Sequence, residues 1–320
     1  MLLAAALLAG PALAQVRGEL TRAVHSDCAL WLLDDAGKLR RLPDGANDYD
    51  YVPLSGSAVG LCRRGGAPVV AAISEGRIVV QQRTGARWRP LGSVPLGEGE
   101  RPVALHCDGG APVVLTSQAV TVLGRAPQPL GGELPRSIRY VTYRDGPSLL
   151  VGTNMGEWGG GLVRIALANG AVTRIAGVNL PVHDIVASPY RRGCVLVAEG
   201  LVHFGAVGQL GQVCGSATQQ FAVVSMPRQL PKPPAPPSFD MDRSVAFFAF
   251  AAGARGLEVI GQDGIRPVRR DGLSPVRPLP PRIERGGEYV ADASPRYLLV
   301  MTGINNRASL GGGMPLVAPR

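Results

Sequence analysis

The chain has 320 residues, 46% of them hydrophobic and 18% charged, a balance that supplies a sizeable core and excludes global disorder. Its 43 glycines and 28 prolines suit short strands joined by tight turns and work against long helices, so composition points to an all-β chain. The net charge of +9 rests almost wholly on arginine, in scattered pairs such as Arg63-Arg64 and Arg269-Arg270 with no interleaved aromatics, which argues against a nucleic-acid partner.

In chain order, Leu2 to Ala14 is an uncharged run of mostly Leu and Ala ending in Ala12-Leu13-Ala14. This reads as a secretory signal peptide over residues 1–14 with an A-x-A cleavage site, leaving a mature chain from Gln15. The run is too short for a membrane span, which needs about 20 apolar residues. No later segment reads as an integral membrane segment, so a periplasmic or secreted protein is expected. Export makes disulfides available to the five cysteines, Cys28, Cys62, Cys107, Cys194 and Cys214. Cys62 and Cys107 occupy similar places in neighbouring repeats and Cys194 and Cys214 bracket one hairpin, so these are the pairs to test. The alternative is that they are buried strand cysteines acting as small hydrophobes.

A strand-turn-strand unit recurs along the chain. Cys62-Arg63-Arg64-Gly65-Gly66-Ala67-Pro68-Val69-Val70 overlays Cys107-Asp108-Gly109-Gly110-Ala111-Pro112-Val113-Val114. First strands placed near Leu20, Ala58, Pro102, Ser137, His183, Phe221 and Glu288 give units spaced mostly by about 40 residues, the period of a propeller blade. The expected fold is a single all-β domain over 15–320, a seven-bladed β-propeller of mostly four-stranded antiparallel blades. Six or eight blades, or two β-sandwiches, are the alternatives. Proline-rich insertions are expected near 227–240 and 269–287. Val245 to Phe250 is apolar without alternation, as a strand covered on both faces should be. The last unit ends after a third strand, and Val16 to Leu20 are expected to supply its missing outer strand.

In the fourth unit, Leu149-Leu150-Val151-Gly152-Thr153-Asn154 is followed by Gly159-Gly160-Gly161-Leu162-Val163-Arg164-Ile165 and then Asn169-Gly170-Ala171-Val172-Thr173-Arg174. Over residues 148–175 this resembles the repeat of two-component-regulator sensor propellers. Met155-Gly156-Glu157-Trp158 is an insertion relative to that repeat. The resemblance implies a propeller and no particular ligand or reaction.

In an antiparallel blade the turns between second and third strands share a face, here called upper, with the crossings between blades. Most upper turns are short, and the acids of Asp35-Ala36-Gly37, Glu75-Gly76 and Glu199-Gly200 read as turn formers. Two upper loops are long, carry Asn at or next to their start and close with three glycines: Asn154 to Gly161 and Ile304 to Gly313. Asn154, Glu157, Trp158, Asn305, Asn306 and Arg307 are therefore the candidate ligand-binding residues, offering amides, a carboxylate, a guanidinium and a stacking surface. His25, His106 and His183 fall in inner strands, but His183 is at the upper end and the others at the lower, so they do not converge on a metal. There is no G-x-S-x-G, H-E-x-x-H or P-loop. The leading expectation is a module that binds a protein, peptide or small polar ligand, with no cofactor. One alternative is a lactonase- or lyase-like enzyme with a divalent cation such as Ca²⁺ held by Asn154, Glu157 and Asp184. Another is an envelope accessory protein docking through Pro231 to Pro237.

Overall fold

The computed structural model describes residues 19–44, 46, 49–137, 139–202, 206–225, 244–253 and 256–278, together with the backbone of 288–293, 297–303, 308–309 and 316–319. The proline-rich run from Pro231 to Pro237, the candidates Asn305, Asn306 and Arg307, His203 and the leader lie outside these residues.

The protein is an all-β propeller built from antiparallel sheets of consecutive strands. The first blade holds β1 (Glu19–Ser26), β2 (Ala29–Asp34), β3 (Leu39–Pro43) and β4 (Asp50–Val52). The second holds β5 (Ser57–Arg64), β6 (Ala67–Ser74), β7 (Arg77–Thr84) and β8 (Arg87–Pro95). In the third come β9 (Pro102–His106), β10 (Val113–Thr116), β11 (Ala119–Val122) and β12 (Gln128–Pro129). The fourth is made of β13 (Arg139–Asp145), β14 (Ser148–Asn154), β15 (Gly160–Ala166) and β16 (Val172–Ile175). The fifth has β17 (Val182–Ala187), β18 (Cys194–Val202), β19 (Ala206–Cys214) and β20 (Ala217–Ala222). The sixth has β21 (Phe247–Gly253), β22 (Gly256–Gly261), β23 (Gly264–Arg269) and β24 (Gly272–Leu273). A closing sheet follows, of β25 (Glu288–Ala293), β26 (Tyr297–Gly303) and β28 (Leu316–Pro319), with the short β27 (Ala308–Ser309) preceding its third strand in sequence.

Six blades are thus complete among the described residues, not the seven expected, and the last unit is a closing sheet of three strands. The sixth unit was also expected to begin at Phe221, but Phe221 lies in the outer strand of blade 5. The inner strand of blade 6 is β21, so the proline-rich segment is the crossing between blades 5 and 6. A second correction concerns the latch. Leu20 belongs to the innermost strand of blade 1, and β27 adds to that strand through Glu19↔Ser309 and Leu20↔Ala308. The chain therefore closes on the channel side of blade 1 and not at the outer edge of the last sheet.

Alternation along each strand explains the core. In β14, Leu149 and Val151 pack towards blade 3 while Leu150 packs towards blade 5. Likewise Val69 and Ala71 face blade 3, and Val70 faces blade 1. Both faces of a second strand are covered, so it carries an unbroken apolar run, as in Ala29 to Leu33 and Leu149 to Val151. Val245 to Phe250, which leads into the inner strand of blade 6, is also buried at all six positions.

On the lower face, side chains lash each blade to its neighbour's backbone. Ser26 Oγ donates to Gly66 O at 2.6 Å, Arg64 Nε to Gly110 O at 2.7 Å, Arg164 Nη2 to Gly215 O at 2.8 Å and Tyr190 OH to Val268 O at 2.6 Å. A disulfide joins Cys62 to Cys107 across blades 2 and 3, a second joins Cys194 to Cys214 across β18 and β19, and Cys28 is exposed and free.

Close approach sets the spacing between blades. A Cβ on Gly152 would lie 2.4 Å from Val182 Cγ1 and 2.8 Å from Val141 Cγ2. Val182 is β-branched and has little rotamer freedom with which to yield. Gly152→Val should therefore destabilise the protein by about 1–3 kcal/mol through overpacking, read as a lower urea midpoint. An unchanged midpoint would contradict this packing.

Candidate functional site

The upper ends of the inner strands share an irregularity. Thr21, Val59, Val103, His183 and Phe248 are each an extra residue at a register shift in β1, β5, β9, β17 and β21. A bulge of this kind bends the strand and re-aims its side chains. His183 and Phe248, in adjacent blades, meet edge to face with centroids 5.1 Å apart.

The channel is bridged close to this level. Arg22 on β1 donates from Nη2 to the backbone oxygen of Tyr140 on β13. The inner strands touch in the order β1, β5, β9, β13, so this bond spans the interior and does not join neighbours. Burial pulls the Arg22 guanidinium below its ordinary pKa, and the charge of Asp184 on β17 opposes that pull. Asp184 is itself fixed: Oδ1 accepts from Ile185 N at 2.8 Å and Oδ2 from Phe250 N at 2.7 Å, tying blade 5 to blade 6. Arg22 thus bolts blade 1 to blade 4 across the channel, and the charge of Asp184 acts on its guanidinium.

Two further ionisable groups are buried beside it. His183 is 4% exposed, its Nε2 lies 2.8 Å from Gly200 O, and burial lowers its pKa to about 4. Glu199 is fully buried in β18, and that burial raises its pKa to about 7. Its Oε1 accepts from Gln209 Nε2 at 3.2 Å. The N–H groups of Leu180 and Asn179 lie close enough to favour the carboxylate, although Oε2 meets no donor in good hydrogen-bond geometry. This corrects the reading of Glu199-Gly200 as a hairpin tip: the β18–β19 ladder continues past it to Val202↔Ala206. The other two turns match expectation, with Glu75 and Gly76 at φ 51° and 69° and Gly37 at φ 72°.

The long loop of blade 4 separates into a locked base and an exposed tip. Asn154 is 2% exposed, and its Oδ1 accepts from Gly156 N at 2.8 Å. Its N–H donates to Ser137 Oγ at 2.9 Å, and that hydroxyl lies 2.9 Å from Asn154 O. Gly159 N donates to Gly156 O at 3.0 Å, closing a 3₁₀ turn over Gly156–Trp158, and Met155 N donates to Gly159 O at 2.9 Å across its base. Gly160 N donates to Asn179 O at 2.9 Å, which ties the loop to the crossing into blade 5. At the tip, Glu157 is exposed and Trp158 is 80% exposed, the largest value among the exposed large hydrophobics described.

Of the sequence candidates, then, Glu157 and Trp158 face solvent, and Asn154 is the structural anchor beneath them. Asp184 ties blade 5 to blade 6, and its charge acts on Arg22. Its two oxygens and the Asn154 amide oxygen are engaged by backbone N–H groups, and no group of three or more His, Cys, Asp or Glu side chains is placed to hold a metal among the described residues. Arg22 and Glu199 were missed. Glu199 had a signal, being the lone charge inside the apolar run Cys194 to Val202. Arg22 had none, because its partner lies 118 residues away.

No protein-family model matches the chain, and no curated protein matches its sequence. Solved structures similar in fold include the extracellular domain of the putative hybrid two-component system BT4673 from B. thetaiotaomicron. It is 14% identical with a TM-score of 0.52, over 89% of this chain and 37% of that one. Saccharomyces cerevisiae Sqt1 is 12% identical with a TM-score of 0.53, over 94% and 85% of the two chains. Dihydro-heme d1 dehydrogenase NirN in complex with DHE is likewise 12% identical with a TM-score of 0.53, over 94% and 66%. At these identities the likeness is one of fold.

The two buried groups have opposite linkage. His183 has a depressed folded pKa, so its contribution to stability is present above about 6.5 and is lost as pH falls towards about 4. Glu199 has a raised one, so its contribution is present below about 4.5 and is lost as pH rises towards about 7. Each shift is worth roughly 3 kcal/mol, and the windows overlap, so the two largely offset in the wild-type protein. Urea unfolding at pH 4.5 and 6.5 should separate them. Relative to wild type, Glu199→Gln should lose stability on acidification and His183→Gln should gain it. Parallel pH dependence in all three proteins would contradict this assignment.

Proposed function

We propose that this chain is an exported binding module that recognises a protein or peptide through the upper rim of blade 4, with Glu157 and Trp158 as the contact residues. The observation that carries the reading is the exposure of Trp158, at 80%, on a turn whose base is fixed by Asn154, Ser137, Gly159 and Gly160. An aromatic held in water is a store of binding free energy, and tryptophan is enriched among the residues that dominate interfaces. A turn already ordered in the free protein loses little conformational entropy on association. Glu157 beside it adds a charge for orientation, favouring a partner with a basic or amide-bearing segment.

Periplasmic or secreted localisation is part of this proposal. It is supported by the Leu2 to Ala14 run, and the fold occurs in the extracellular domain of a two-component protein. Among the described residues no helix is long and apolar enough to cross a membrane. Asn305, Asn306 and Arg307 are proposed to add polar contacts from the closing part of the ring. Docking through Pro231 to Pro237 is tested by deleting that run in the same assay. The cation-dependent alternative gains no specific support from the geometry around Asn154 and Asp184.

Capture experiments from periplasmic extract should show that Trp158→Ala and Glu157→Ala each weaken retention of the partner at least tenfold. Both substitutions are at the surface, so stability should change by no more than about 0.5 kcal/mol. Equal retention by wild type and both variants would remove this loop from the binding site. Expressed from its first codon in a bacterial host, the exported protein should begin at Gln15 by N-terminal sequencing. Recovery of an intact leader on soluble protein would contradict export.

A further inference from the structure

At the lower end of the seam between blades 1 and 2, two arginines share one buried indole. Trp31 on β2 is fully buried, and its Nε1 donates to Ser26 O at 3.0 Å. The Arg41 guanidinium, on β3 opposite Trp31, lies 5.7 Å from the centroid of that ring. Arg83 reaches across from β7 and lies 4.9 Å from the same centroid and 5.8 Å from that of Trp88, its cross-strand partner on β8. The two indoles meet edge to face at 5.8 Å, so both guanidinium groups are stacked against fixed aromatic surface.

One such cation is enough to staple the two blades, and a second beside the same ring adds repulsion. Burial, and then the charge of Arg41, hold the Arg83 guanidinium below its ordinary pKa, while Asp27, exposed at the β1–β2 turn, opposes them. Neither arginine forms an ion pair among the described residues, although Asp50 on β4 is the register partner of Arg41. Arg83 Nε donates to Gly85 O at 3.0 Å, but the terminal nitrogens of both residues meet no acceptor among the described residues. Both side chains are half-buried, and those nitrogens reach solvent. Arg41 Nε and Trp88 Nε1 are shut from solvent and also lack an acceptor, which leaves two further N–H dipoles uncompensated at this seam. On the outer strand, Arg87 and Arg89 flank Trp88 and add to the positive field.

We propose that Arg41 and Arg83 form a binding site for a doubly charged tetrahedral oxyanion, a phosphate or sulfate group, at the lower seam of blades 1 and 2. The terminal nitrogens of a planar guanidinium match two oxygens of such a group, and stacking on Trp31 and Trp88 fixes both guanidinium groups before the anion arrives. A dianion offsets the repulsion between the two cations, which a single negative charge does only in part. The site lies on the face opposite the Glu157–Trp158 loop and does not depend on the function proposed above.

The chain has 3 tryptophans, so Trp158→Phe leaves Trp31 and Trp88 as reporters seated in the site itself. Titrating the full chain in this background with sodium phosphate, sodium sulfate and glycerol 3-phosphate, at ionic strength held constant with NaCl, should give saturable fluorescence changes and raise the thermal midpoint. From about pH 6 to 8 sulfate affinity should stay flat, whereas phosphate affinity should rise as the second proton leaves. Arg41→Gln and Arg83→Gln should each weaken binding at least tenfold. Asp27→Asn removes the opposing charge and should tighten binding about threefold, since asparagine tolerates the φ of 53° at that turn. Arg89→Gln should change affinity by less than about twofold. Glycerol 3-phosphate binding as tightly as inorganic phosphate would support a site for an esterified group, and binding of the inorganic ions alone would support a site for the free anion. No saturable response by either readout, acetate binding as tightly as sulfate, or unchanged affinity in Arg41→Gln would overturn the proposal. If Arg83→Gln does not fold once its stacking is lost, Arg41→Gln and Asp27→Asn decide.

Discussion

Gly152 stands where one added carbon would sit 2.4 Å from Val182, at the seam between blades 4 and 5. Gly60 does the same against Leu105 between blades 2 and 3, at 2.7 Å, and Gly200 against Ala246 between blades 5 and 6, at 2.7 Å. Each sheet must bury both faces, and it does so only if its neighbour approaches to within side-chain contact. The mixed-blade clusters joining blades 1 through 6 are the outcome. The remaining features depend on that spacing: the lower-face lashings, the channel bolt and the seating of the crossings.

One arginine side chain spans the channel between blades 1 and 4. Arg22 reaches Tyr140, and Asp184 answers the charge while holding Phe250. The polar groups that composition suggests for catalysis or metal binding are thus largely absorbed into the ring. The proposed recognition lies at the rim, on the blade 4 insertion between β14 and β15. Its anchor and its tip have separate duties, with Asn154 satisfying backbone groups and Trp158 meeting solvent.

Strand and turn placement was legible wherever the pattern is local. The Val245 to Phe250 run, the Glu75-Gly76 turn and the repeat around Cys62 and Cys107 each follow from nearest-neighbour chemistry. Composition around Phe221 marks a strand without telling inner from outer, and the long proline-rich stretch of sequence that follows removes the spacing cue. The chain closure was misplaced for a related reason: Glu19–Leu20 pairing with Ala308–Ser309 spans almost the whole sequence, and no local signal encodes it. Glu199 was read as a turn former because Glu-Gly is a common turn pair. Its place inside a long ladder is set by the register of β18 on β19. Within the site, the exposed pair Glu157 and Trp158 was visible as an insertion, whereas the role of Asn154 as an anchor needed the hydrogen bonds.

Blade 4 holds out a solvent-facing tip on a hydrogen-bonded base. Residue-resolved amide exchange of residues 154–160 in the free protein near pH 6 tests it most directly. The amides of Asn154, Met155, Gly156, Gly159 and Gly160 each have an acceptor and should be protected at least tenfold, while that of Trp158 should exchange close to the unstructured rate. Uniform exchange across the whole segment, fast or slow, would contradict the account.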